Sequence, residues 1–159
     1  MPRRFEHLDD TWPAGLGRRL GAMLYDGFLV AAIWLLVAVA HLAVVRFGFG
    51  LEAEAVGAGW LQRGSLQLLL LASAFLFFAF CWRRGGMTLG MQAWRLRVQT
   101  VDGRAISLGQ SLVRYGVAWL SFVALGLGYL WVLFDTEQRS WPDIVSGTRT
   151  VVLPKPARR

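Results

Sequence analysis

Three apolar blocks separated by polar segments organise the chain. The first covers about residues 20–45, and the second covers about residues 65–82 without a single charged residue. A transmembrane α-helix needs about 20 consecutive apolar residues to cross roughly 30 Å of hydrocarbon. The pattern therefore predicts two transmembrane helices, joined by an exposed, glycine-rich loop over residues 46–64.

The third apolar block, about residues 111–134, is less regular than the other two. Gly126 and Gly128 lie in its middle, and Arg114 lies near its start. Two glycines so close together lower helix propensity and permit a break. We therefore expect a third segment that is broken or re-entrant.

A strand pattern follows the second apolar block. Apolar and polar residues alternate over 94–99, as in a strand with one apolar face, and Asp102-Gly103 is a hairpin turn signal. We expect a small β-hairpin over residues 94–107, with its second strand at 104–107. The strand-like residues 148–153 would add a third strand.

These patterns together predict the fold class. We expect an all-α integral membrane protein with two transmembrane helices, a third broken or re-entrant apolar segment and a small cytoplasmic β-hairpin or sheet. Residues 1–15 would form a cytoplasmic N-terminal tail, residues 16–153 the membrane domain and residues 154–159 a basic C-terminal tail.

Basic residues are concentrated beside the apolar blocks of the chain. The sequence has 17 basic and 10 acidic residues, a formal net charge of +7. Arginine pairs such as Arg18-Arg19 and Arg83-Arg84 sit beside apolar blocks, whereas the loop 46–64 holds only two arginines. This placement follows the positive-inside rule and suits anionic lipids better than nucleic acid. We therefore expect a cytoplasmic N-terminus, a bilayer with anionic lipids as partner and no nucleic-acid partner.

The side of the C-terminal tail is open at this stage. The tail is basic, so a single crossing by the third block would place positive charge outside, against the rule that orients the rest. A broken segment that enters and returns would keep the tail cytoplasmic. Pairing of residues 148–153 with the strand near Leu96 requires the same arrangement, and we expect it.

Conventional catalytic and metal-binding patterns do not occur in the sequence. Cys81 is the single cysteine, which excludes an intramolecular disulfide and a cysteine cluster. His7 and His41 have no companions at metal-ligand spacing, and the serines lack the His and acid partners of nucleophilic catalysis. The first apolar run is also too long for a removable signal peptide. We expect neither enzymatic activity nor a cofactor or metal.

An aspartate inside the first apolar block is the most unusual feature. Arg19 and Asp26 are seven residues apart, which places them on one helix face about 20° out of register and Asp26 roughly 10 Å deeper. A charge near the centre of a membrane helix costs about 2.5–3.5 kcal/mol on insertion scales. Asp26 therefore needs Arg19, Arg114 or a proton to neutralise it.

A second pair of acids follows the third block. Asp135 and Asp143 lie in the polar segment before the last strand pattern. Asp143 meets Arg19 only if the tail is cytoplasmic, so the topology decides whether the chain has one charged site or two.

These residues carry a family resemblance. The order of "GRRLGAMLYDGF", a second apolar helix, "GMTLGMQAWRLRVQTVDGRAISLGQSLVRY", "GLGYLWVLFD" and "WPDIVSGTRTVV" resembles the RDD family of small bacterial membrane proteins over about residues 14–153. The one arginine and two aspartates that name that family would fall here on Arg19, Asp26 and Asp143. Similar members often have His where this chain has Pro142, and a basic residue where it has Gln92.

The resemblance implies a bacterial inner-membrane protein and leaves two function classes. In the first, a homo-oligomer transports a small ion or couples to protons through Asp26, with Arg19 and Asp143 along the path, because one protomer is too small to enclose it. In the second, the protein is an accessory or scaffold subunit of a larger membrane complex, and its charged cluster is structural. Arg114 and Asp135 are secondary candidates for the charged site.

Overall fold

The structure is a computed structural model, and it describes residues 4–5, 10–50, 52 and 57–155. His7 and residues 156–159 of the basic tail therefore lie outside the described residues. The described chain forms these elements: β1 Trp12–Pro13, α1 Leu16–Ala43, a π-helical turn Val44–Gly48, α2 Trp60–Arg84, α3 Leu89–Ala93, β2 Leu96–Thr100, α4 Leu108–Val123, α5 Leu127–Leu130, a 3-10 turn Trp131–Leu133, α6 Trp141–Ser146 and β3 Thr148–Val152.

In the part of the chain that the structure describes, two helical stretches have the length and composition to cross a membrane. They are Leu16–Gly48 and Trp60–Arg84. Both extend past the apolar runs at 20–45 and 65–82, because arginine, glutamine and leucine at the ends propagate a helix well. The expectation of two long apolar helices is confirmed.

The chain divides into two compact units, of which residues 27–77 form one. Here the later part of α1 packs against the earlier part of α2. The indole N–H of Trp34 donates to the Leu70 carbonyl at 2.8 Å, and His41 lies 2.9 Å from the Ser65 hydroxyl. The later residue of α1 contacts the earlier residue of α2, so the two helices are antiparallel.

The other unit is built around a three-stranded antiparallel sheet in the order β1-β3-β2. β3 is central: Val152 pairs with Leu96 of β2 and with Trp12 of β1. The expected third strand from the C-terminal segment is confirmed. It joins β2 directly, however, so the neighbour of β2 is not the segment at 104–107.

The predicted hairpin over 94–107 is therefore wrong in its second strand. The turn at Asp102-Gly103 does form, with the Gly103 amide donating to the Thr100 carbonyl at 2.9 Å. Residues 105–107 then leave the sheet as irregular chain towards α4. A short two-stranded hairpin is only marginally stable. Pairing of β2 with β3 instead forms five register pairs and covers an apolar face, which makes it the more stable arrangement.

One face of the sheet forms the core of this unit. Leu96, Val98 and Val152 are almost fully buried, and they pack with Ala22 of α1 and Met91 of α3. The register places Thr148 and Thr150 on the same face, because residues i and i+2 of a strand point to the same side. That face therefore changes from apolar to hydroxyl-bearing along β3.

The third apolar block is broken, as expected. The stretch Leu108–Val123 meets Leu127–Leu133 at a bend of 106°. Gly126 sits at the bend with a φ of 83°, a left-handed conformation that glycine adopts without steric cost. Beyond it, a Cβ on Gly128 would overlap the Ser121 hydroxyl, so the returning chain packs closely on α4.

Candidate functional site

A fully buried carboxylate, Asp143, is the centre of the site. Its side chain is 0% exposed and lies in the first turn of α6. One oxygen, Oδ2, accepts from Arg19 at 2.6 Å, and the other, Oδ1, accepts from Arg114 at 2.5 Å. Two guanidinium groups therefore hold one carboxylate away from water.

Hydroxyl and amide groups complete the shell around Asp143. Thr150 Oγ1 of β3 donates to Oδ1 at 2.8 Å. The backbone N–H and the hydroxyl of Ser140, which precedes α6, both donate to Oδ2 at 3.1 Å. With five donors on two oxygens, the carboxylate has little acceptor capacity left.

Arg19 connects the start of α1 to this cluster. Its Nε donates to the Ala14 carbonyl at 2.8 Å, and Nη2 donates to the Gln138 carbonyl at 2.9 Å. Gln138 has a φ of 53°, which is costly for a residue with a side chain and turns its carbonyl towards Arg19. A single guanidinium thus fixes β1, α1 and the segment before α6 together.

Arg114 connects α4 to the sheet in the same way. Its Nη1 donates to Thr148 Oγ1 and its Nη2 to Thr150 Oγ1, both at 2.8 Å. The guanidinium also lies over the Trp82 ring, 5.4 Å from the centroid, a cation–π contact that partly replaces lost hydration. The hydroxyl groups of Thr148 and Thr150 on β3 therefore accept the hydrogen bonds that position Arg114.

The cluster holds two positive charges and one negative charge. Burial alone would raise the pKa of Asp143, but the charges of Arg114 and Arg19 and the hydrogen bonds outweigh burial and hold its pKa well below the ordinary range. Asp143 is consequently ionised at neutral pH. Breaking a buried ion pair by removing one partner typically costs about 3–5 kcal/mol, so the cluster is a strong structural constraint.

Asp26 lies elsewhere, in the eleventh position of α1, and is 5% exposed. Thr88 Oγ1 donates to its Oδ2 at 2.5 Å, and the Gly90 amide donates to Oδ1 at 2.9 Å. Within the described part of the chain, no basic side chain pairs with it. Arg19 and Arg114, considered as partners for Asp26 from the sequence, both bind Asp143 instead. The two aspartates therefore form two sites.

Close packing explains the glycine at position 90, two residues after Thr88. A Cβ on Gly90 would overlap the Ala22 carbonyl and stand 2.9 Å from the Asp26 carboxylate. Thr88 also caps α3, since its Oγ1 accepts from the Met91 amide at 3.1 Å. Asp26 thus fastens α3 to α1 through two neutral donors.

Asp135, the other secondary candidate, belongs to a surface pair. Arg139 donates to its two oxygens at 3.0 Å. Hydrogen bonds from the Arg139 side chain and amide lower the pKa of Asp135 to about 2. Its ion pair is with Arg139, apart from the Asp143 cluster.

Sequence reasoning missed the uncharged members of both sites. Ser140 had a signal, because Ser140 and Asp143 form the S-x-x-D spacing of a helix-capping box. Thr148 and Thr150 share one face of a period-2 strand. Thr88 and Gly90 lie in the quoted "GMTLGM" stretch, but nothing in that pattern identifies Asp26, more than 60 residues earlier, as their partner.

Among the described residues, no group of three or more His, Cys, Asp or Glu side chains is placed to hold a metal ion.

Two membrane-length apolar helices joined to a small sheet with a buried Arg–Asp–Arg cluster fit a small membrane protein. The model of the RDD family matches residues 13–147, which include Arg19, Asp26 and Asp143. The chain therefore belongs to the RDD family, and the resemblance seen in the sequence is confirmed. Comparisons with curated proteins and with solved structures returned no match.

Proposed function

We propose that this RDD protein is a non-enzymatic membrane transporter in which Asp26 exchanges a proton or a small cation. The observation that carries the proposal is the environment of Asp26: a nearly buried carboxylate with two neutral donors and no basic partner in the described chain. An ionised carboxylate offers about four lone-pair positions. Two of them are open to a proton or a cation, and an unpaired buried charge favours uptake of one.

The Asp143 cluster has a different part in this proposal. Its carboxylate is saturated by five donors and its pKa is low, so it has no capacity to release or take up a proton near neutral pH. Arg19 and Asp143 therefore hold the fold rather than line the path. This assigns the ion-handling role to Asp26 alone.

The proposed orientation places the sheet in the cytoplasm. In chain order, α1 and α2 come between β1 and β2, which belong to the same sheet. Two crossings of the membrane return the chain to the side where it started, as this shared sheet requires. The bent α4–α5 segment comes after β2 and before β3 in the chain, and these two strands pair in the same sheet. The flanking arginines then face the cytoplasm of the bacterial inner membrane, where anionic lipids are available to them.

An oligomer is part of the proposal because few membrane segments occur among the described residues. Those residues hold two membrane-length helices and one bent segment, which are too few to enclose a polar path through a bilayer. We therefore propose that copies of this chain assemble so that Asp26 of each lies beside a path between protomers.

The decisive experiment is ion flux through purified protein in liposomes. Asp26→Asn keeps the bond from the Gly90 amide through its carbonyl and can donate to Thr88 Oγ1, so the fold should be retained while the charge is removed. We expect proton or cation flux in the parent and none in the variant. Asp102→Asn, at an exposed turn position, is the matched control and should conduct like the parent. Absence of flux in the parent under both pH and cation gradients would reject transport.

The second candidate function is a scaffold subunit that holds a partner membrane protein. It is favoured by the saturated Arg19–Asp143–Arg114 cluster, which ties the start of α1, α4, α6 and the sheet together. In a scaffold, Asp26→Asn should lower assembly and yield in proportion to any lost activity. Size-exclusion chromatography and membrane yield of the variant, measured beside its flux, therefore separate the two functions.

A further inference from the structure

A partly open cavity of about 390 Å³, lined by both apolar and charged side chains, lies against the sheet, apart from Asp26. It is bounded by β1, the end of β2, β3 and the segment 136–139. The side chains that matter here are those of Arg19, Gln99, Glu137, Arg139 and Arg149. A cavity of this size is within the range that encloses a small organic molecule.

The cavity wall carries an excess of positive charge. Three of its residues are arginines, whereas Glu137 is its only acid among the described residues. Arg19 brings the buried cluster to the floor of the cavity, and this cluster has one more guanidinium than carboxylate. Asp135 compensates Arg139 from outside the wall. An anion is therefore the charge type that the cavity favours.

Glu137 pairs with the two exposed arginines of the cavity, Arg139 and Arg149. Its Oε2 accepts from Arg149 Nη2 at 2.9 Å, and its Oε1 lies 3.8 Å from Arg139 Nη1. All three side chains are between one third and one half exposed. Pairs this exposed contribute little to stability, so the fold does not depend on the Glu137 carboxylate staying paired with these arginines.

We propose that this cavity binds a phosphoryl group, with Glu137 as its displaceable internal counter-ion. The planar guanidinium groups of Arg149 and Arg139 donate to phosphate oxygens in the same way as to a carboxylate. A phosphate monoester carries nearly twice the charge of the glutamate that it replaces. The shared chemistry is a phosphoryl group, supplied by a soluble phosphate ester or by a phospholipid head group.

Binding to the full-length protein tests the proposal. Glycerol 3-phosphate titrated into detergent-solubilised protein reports a soluble ligand, and nanodiscs with phosphatidic acid compared with phosphatidylcholine report a head group. Glu137→Gln should tighten binding, by up to about five-fold, because it removes the competing anion. Arg149→Gln should weaken binding at least about ten-fold, because it removes a charge-assisted donor.

Arg104→Gln is the matched control, since Arg104 is exposed and does not line the cavity. The stated pattern with glycerol 3-phosphate supports the proposal and identifies a soluble ester. The same pattern with phosphatidic acid alone supports it and identifies a head group. Absence of binding to both probes, equal affinity in Glu137→Gln and parent, or equal weakening by Arg104→Gln and Arg149→Gln would overturn it. None of these outcomes depends on ion flux through Asp26.

Discussion

Replacing Asp143 with asparagine should destabilise the fold more than replacing an exposed acid. The change removes the one carboxylate between Arg19 and Arg114, both of which are less than 10% exposed. Either oxygen of Asp143 accepts at least two hydrogen bonds, so the new amide –NH₂ must face donors wherever it points. Uncompensated buried charge of this kind costs about 3–5 kcal/mol, a large part of the 5–15 kcal/mol typical of a folded protein.

Unfolding of the detergent-solubilised protein, followed by tryptophan fluorescence, measures this loss. Arg114→Gln and the double variant complete a mutant cycle. Arg114→Gln leaves one arginine with one aspartate, so it should cost less than Asp143→Asn. In the double variant a single arginine remains unpaired, and the two effects should deviate from additivity by about 1 kcal/mol or more.

Asp102→Asn serves as the control, because Asp102 is exposed at a turn and makes no ion pair with the described residues. It should unfold like the parent. A loss below about 1 kcal/mol for Asp143→Asn, or strict additivity in the cycle, would refute the view that Arg19 and Arg114 depend on this carboxylate.

Three further predictions follow from the same geometry. Because folding lowers the pKa of Asp143, its contribution to stability should be complete above the ordinary aspartate value of about 4 and should be lost progressively as the pH falls below that value. An unfolding series from pH 8 to 2 should show this slope, and Asp143→Asn should have a shallower one, to which Asp135 still contributes. Gly90→Ala should destabilise by about 1–3 kcal/mol in the same unfolding assay, since its Cβ overlaps the Ala22 carbonyl; stability equal to the parent contradicts the close approach of α3 to α1. A reporter fused after Lys155 should score as cytoplasmic, and a periplasmic score would discard the proposed topology.

The long helices and the break were predictable because each depends on local sequence. A run of apolar residues without charge specifies a membrane-length helix, and glycines at 126 and 128 mark where the third block bends. The pairing of 148–152 with 96–100 was also predictable, because both segments have the period-2 pattern of a strand and each strand needs a neighbour to pair with. The hairpin error arose because turn residues specify a reversal of direction but not which strand continues the sheet.

The partners of the charged residues were only partly predictable. Helix periodicity places Arg19 and Asp26 on one face, but it takes no account of groups that approach from other elements. Thr88 and Gly90 reach Asp26 with neutral donors, so charge patterning gave no indication of them. Asp143 was correctly connected to Arg19 only under the cytoplasmic-tail alternative, which the sequence left open.

The bend in the third block and the pairing of Arg19 with Asp143 are linked by chain length. α4 has 16 residues and therefore spans about 24 Å, less than the roughly 30 Å of hydrocarbon in a bilayer. A straight continuation through α5 would carry α6 away from the sheet, and with it Asp143, which lies 124 residues after Arg19. Since β1 and β2 both pair with β3, the chain has to turn back at Gly126 for the arginine and the second aspartate to meet.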